Sequence, residues 1–137
     1  MSKELFTAIE QPDTSRVKAL LAAGADPNVC SRDGITPLRT SAEVGNLDMA
    51  SLLLGAGATR TINDWGGLTG YTALGHAARR LDLPMIKLLL DVGADPKAPD
   101  EDGRPAHYRL PPRAESDSQT WDAAFELLGG AKDRMPL

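Results

Sequence analysis

Aromatic side chains make up only 4% of this 137-residue chain: two Trp, two Tyr and two Phe. A core built from it must be mainly aliphatic, filled by Leu, Ala, Val and Ile. Cysteine is scarcer still. With Cys30 alone, no intramolecular disulfide can form, which fits a reducing compartment. Cys30 could act as a nucleophile only beside a base, and nothing in the sequence supplies one. Two histidines and one cysteine in separate stretches match no metal-ligand spacing, so no metal site is expected. A phosphate loop is missing as well: Gly66-Gly67-Leu68-Thr69-Gly70 lacks the lysine and the strand-to-helix setting. No catalytic residue and no cofactor are expected. No apolar run approaches the roughly 18 residues of a membrane helix. Met1-Ser2-Lys3-Glu4-Leu5 lacks the apolar stretch of a signal peptide. These absences point away from a membrane and toward a cytoplasmic location. Basic residues are outnumbered, 15 Lys and Arg against 19 Asp and Glu, for a net charge of −4. That balance argues against a general phosphate-binding surface, and no nucleic-acid partner is expected.

What the chain has in quantity is a phrase, Leu-Leu-x-x-Gly-Ala-Asp. It occurs as Leu20-Leu21-Ala22-Ala23-Gly24-Ala25-Asp26 and as Leu89-Leu90-Asp91-Val92-Gly93-Ala94-Asp95. Leu53-Leu54-Gly55-Ala56-Gly57-Ala58 is a third copy and Leu127-Leu128-Gly129-Gly130-Ala131 a worn fourth. Gly24, Gly57, Gly93 and Gly130 are separated by 33, 36 and 37 residues. A period of roughly 33 residues marks a helical repeat array. Such arrays bury a core by stacking neighbours and present an extended concave binding face.

The stretches between these phrases read as pairs of short helices. Leu5, Ile9, Val17, Leu20 and Leu21 fall at helical spacing, interrupted at Pro12, with Asp13 or Thr14 as the next cap. Asp33-Gly34 favours a tight turn, Thr36 is a natural N-cap, and Pro37 suits the first helical position. Gly45-Asn46 ends that helix and Met49, Leu52, Leu53 and Leu54 form the next. Thr72 and Asp82 open a third pair. Asp102-Gly103 opens a fourth, which then breaks pattern through Leu110-Pro111-Pro112 before a last helix from about Thr120 to Leu128. Leu54 and Leu89 are expected in the core between units. Gly24, Gly57 and Gly93 are expected at helix ends with positive φ.

These residues resemble the ankyrin repeat, whose pattern runs Asp-x-x-Gly-x-Thr-Pro-Leu-His-x-Ala-Ala and, after a turn, Val-x-x-Leu-Leu-x-x-Gly-Ala-Asp-x-Asn. Gly34-Ile35-Thr36-Pro37-Leu38 and Gly24-Ala25-Asp26-Pro27-Asn28 match closely; Gly70-Tyr71-Thr72-Ala73-Leu74 matches with one change. The resemblance implies an all-α solenoid of about four helix-turn-helix units with short β-hairpin-like connections. It forms one domain over 1–137, with units at about 3–30, 31–63, 64–99 and 100–133. The second connection carries about three extra residues within 61–68, and the fourth unit carries an irregular loop.

The resemblance also implies non-catalytic binding of another protein along hairpin tips and inner helices. Asp33, Ile35 and Glu43 occupy the relevant positions in one unit, Tyr71, Arg79 and Arg80 in the next, and Glu101, Asp102 and Arg104 in the one after. Trp65 and Leu68 lie in the longer second hairpin. Trp65 is either folded onto its own hairpin or an exposed anchor, and the sequence leaves both open. His76 is expected to be a packed structural residue. A stand-alone inhibitor or immunity protein that neutralises a toxin or enzyme is the alternative role, and a self-associating structural repeat a more distant one. A monomer is expected.

Overall fold

The structure, a computed structural model, describes residues 2–66 and 70–129. Among the described residues, seven α-helices form: α1 (Ser2–Glu10), α2 (Thr14–Ala22), α3 (Pro37–Val44), α4 (Leu47–Gly55), α5 (Ala73–Arg79), α6 (Leu83–Asp91) and α7 (Ser118–Leu127). The fold is an all-α ankyrin-type solenoid. No strand occurs among the described residues, so the hairpin-like connections are turns rather than paired strands.

Local chemistry sets the helix boundaries. Asp13, Thr36, Asn46, Thr72, Asp82 and Asp117 each accept the backbone N–H three residues ahead, satisfying a donor that the first helical turn leaves orphaned. The second helix is therefore capped by Asp13 rather than Thr14. The last helix begins at Ser118, earlier than Thr120, because Asp117 caps it. At the other ends Gly24, Gly57 and Gly93 take φ of +99°, +105° and +104°. After α2 the Gly24 N–H donates to the Leu21 carbonyl and the Ala25 N–H to that of Leu20. After α6, Gly93 and Ala94 repeat this with Leu90 and Leu89, so the last carbonyls are paired.

Two layers result. In the inner layer α1 lies beside α3, α3 beside α5, and α5 beside a 3₁₀ turn at Ala106–Arg109. In the outer layer α2 lies beside α4, α4 beside α6, and α6 beside α7. The core between them is aliphatic: Leu5, Ile9, Val17, Leu38, Met49, Leu53, Leu74, Met85, Ile86 and Leu89 are buried. Leu89 is there as expected. Leu54 is only half-buried against the core, and Leu53 is the side chain fully inside. Leu53 shares a helix face with Met49 and Ala50, four and three residues back, whereas Leu54 is turned about 100° away.

The fourth unit departs most from its neighbours. Its inner helix is replaced by the 3₁₀ turn and a second one at Arg113–Glu115. Scarce aromatics reappear here: Trp121 and Phe125 are buried and stack with ring centroids 5.0 Å apart, and His107 meets Phe125 edge-on at 5.8 Å. The Trp121 indole N–H donates to the Pro111 carbonyl at 2.7 Å, tying the irregular loop to α7. The aliphatic core thus ends in an aromatic cap.

Candidate functional site

The first tip lies beside the inner helices, where Ser31, Asp33 and Ile35 line a groove with residues of α1 and α3. In the first tip Ser31 N–H donates to the Ile35 carbonyl at 2.9 Å; in the third, Asp100 N–H donates to that of Arg104 at 3.0 Å. Neighbouring tips touch through backbone. Gly66 lies so close to Gly34 that a Cβ on it would run into the Gly34 peptide. Glu101 N–H donates to the Gly70 carbonyl at 3.0 Å, and its side chain packs over Gly70.

Asp33, Ile35 and Glu43 come together. With Lys3, Phe6, Thr7 and Glu10 of α1 and with Val44 they line a groove of about 580 Å³. Trp65 stands at the second tip with 49% of its surface exposed, so it is an exposed side chain and not a plug. The close Gly34–Gly66 approach sets it beside the first tip. Leu68 lies outside the described residues.

Tyr71 is less available than its hairpin position implied. The Arg109 guanidinium lies 4.3 Å from its ring centroid, Arg79 lies 5.9 Å away, and His76 packs at 5.2 Å. Arg109 also binds Asp100 at 2.6 Å and Asp102 at 2.8 Å. Burial opposes its charge, but hydrogen bonds to Asp102 and Asp100 outweigh that and raise its pKa above the ordinary guanidinium value. Asp102 is therefore partly engaged within its own unit. Arg104 is exposed with its guanidinium 5.8 Å from the Tyr108 ring centroid. Arg79 and Arg80 are exposed at the end of α5. Arg80 reaches back to donate to the Glu43 carbonyl at 3.3 Å and covers Gly45. It thereby bridges two units while keeping an exposed face.

His76 is buried, as expected. Burial, then Arg39, then Arg79 pull its pKa down to about 4, so it is neutral near pH 7. Among the described residues, no three His, Cys, Asp or Glu side chains converge to hold a metal ion. No described helix is long and apolar enough to cross a membrane.

Two contributions escaped sequence reasoning. The first is α1: Lys3, Phe6, Thr7 and Glu10 follow helical spacing on the face opposite buried Leu5, Ala8 and Ile9. The second is Arg39, buried in the inner layer, whose Nε–H donates to the Tyr71 carbonyl of the next unit at 2.9 Å. Burial lowers its pKa from the ordinary guanidinium value, and Glu43 opposes that.

A family profile for ankyrin repeats matches residues 5–100 in three copies. The chain belongs to the ankyrin-repeat family. Arg39 therefore stands where the repeat usually has histidine. The chain is 35% identical over 123 residues to zinc finger CCCH domain-containing protein 50 of Oryza sativa subsp. japonica, covering 77% of this chain and 19% of that protein. It is 36% identical over 100 residues to an ankyrin repeat-containing protein of Treponema pallidum, covering 72% and 33%. It is also 36% identical over 72 residues to the 2-5A-dependent ribonuclease of Mus musculus, covering 52% and 10%. The chain thus spans a third or less of these curated relatives. Ankyrin repeats generally mediate protein–protein interaction.

Proposed function

We propose that this chain is a non-catalytic module that binds a partner protein along its concave face, formed by the hairpin tips and the inner helices α1, α3 and α5. The observation that carries this is the groove beside the first tip, with exposed Trp65 at the neighbouring second tip. Exposed apolar surface of this kind, bordered by polar groups, is what interaction sites present. Arg, Trp and Tyr dominate interface energies, and Trp65, Arg79 and Arg80 are exposed on this side of the molecule. A single exposed thiol, Cys30, fits a reducing compartment such as the cytoplasm.

The test is calorimetry with a partner recovered from the native source. Trp65→Ala should weaken binding by about 2 kcal/mol or more while circular dichroism stays native, because the ring lies outside the core. Lys87→Ala, on the exposed side of the outer helix α6, should change nothing. Equal losses in the two variants would move the contact face elsewhere.

A further inference from the structure

The groove between α1, α3 and the first tip has a distinctive chemistry. Phe6, Ile35 and Val44 supply its apolar surface, and Val44 is 50% exposed although it is a large aliphatic side chain. Around them stand three carboxylates, Glu10, Asp33 and Glu43, against one lining cation, Lys3. The three carboxylates are exposed, and none makes an ion pair with a described residue. The nearby guanidinium of Arg39 is buried and donates to the Tyr71 carbonyl; its charge acts on Glu43 and leaves the rim with an excess of carboxylates. A rim with more carboxylates than lining cations around an apolar floor selects a ligand with the opposite pattern. It favours cations by attraction and rejects acidic segments by repulsion.

We propose that this groove takes a segment of the partner protein in which apolar residues alternate with lysine or arginine. The apolar side chains seat on Phe6, Ile35 and Val44, and the cations pair with Glu10, Asp33 and Glu43. This assignment rests on the concave-face binding proposed above and adds the partner's chemistry and the end of the array where it docks. Pairing at a groove rim contributes mainly to encounter rate and selectivity, so binding should weaken as salt rises.

The probe is a fluorescein-labelled peptide of alternating lysine and leucine, with a glutamate–leucine peptide as its counterpart. Amide shifts of the full chain are followed during titration. With the lysine peptide, the largest changes should cluster at Phe6, Ile35, Glu43 and Val44; the glutamate peptide should leave them still. Reversal of the rim (Glu10→Lys, Asp33→Lys, Glu43→Lys) should weaken the lysine peptide about tenfold or more. A matched reversal on the outer helices (Asp48→Lys, Asp91→Lys, Glu126→Lys) makes the same change in net charge and should weaken it only about twofold to threefold. Thermal melts verify that both variants fold. Equal weakening by the two reversals, or equal binding of the glutamate peptide, would overturn the assignment. Shifts confined to the other tips would overturn this assignment and leave concave-face binding standing. Shifts confined to the outer helices would remove both.

Discussion

At the scale of single residues, burial separates side chains that look equivalent in the sequence. Leu53 and Leu89 are enclosed on every side, and Leu54 is not. Leu53→Ala or Leu89→Ala should lower stability by about 2–5 kcal/mol in urea melts, and Leu54→Ala by clearly less. Equal losses at positions 53 and 54 would contradict the helix phase described here. His76 gives a pH signature. Its imidazole is held neutral in the fold, with a pKa of about 4, against an ordinary value near 6.5. The unfolded chain then binds a proton that the native state refuses. Stability is complete above about pH 6.5 and declines as pH falls toward 4, by up to roughly 3 kcal/mol from this group alone. His76→Gln should lose that part of the acid slope while folding at pH 7. A slope unchanged by the substitution would mean that the imidazole charges freely in the native state.

At the scale of elements, the fourth unit is held by a polar clasp in place of a full inner helix. Arg109 grips Asp100 and Asp102 and stacks on Tyr71 of the preceding unit. Lysine has neither the planar fork nor the stacking face, so Arg109→Lys should destabilise the chain by about 1–3 kcal/mol. Breaking the exposed Arg113–Asp122 pair should leave stability almost unchanged. Comparable losses from the two changes would refute the clasp. Much of the array was legible in the sequence because it is encoded locally. Thr36-Pro37, Thr72 and Asp82 start helices where expected, and the glycines of the repeated phrase follow the outer helices α2, α4 and α6. What was not legible depends on contacts between units. Nothing near Tyr71 in sequence announces Arg109, 38 residues on, and the register of the fourth unit around Pro105 is ambiguous. The three consecutive leucines 52–54 in a nine-residue helix leave its phase open, which explains the exchange of Leu54 for Leu53. The α1 wall of the groove was missed because the first unit has no Thr-Pro-Leu signature to set its register. Trp65 was placed at the right tip, but only the folded chain decides that it is exposed.

At the scale of the whole molecule, stability comes from each unit packing on its neighbours, so loss at one interface propagates along the stack. The same stacking leaves two faces with different work. The outer helices close the core, while the inner helices and tips gather the groove, Trp65 and the exposed arginines of α5. The central claim is that a partner protein binds on the side of the inner helices and tips. Site-specific photo-crosslinking tests it most directly, with a benzophenone amino acid placed in turn at positions 35 and 65 at the tips and at 51 and 87 on the outer helices. All four residues are wholly or partly solvent-accessible, so the reactive group is tolerated at each. One and the same partner band should form from 35 and 65 and be absent from 51 and 87. A band that forms from 51 and 87 instead, or equally from all four, would contradict the account.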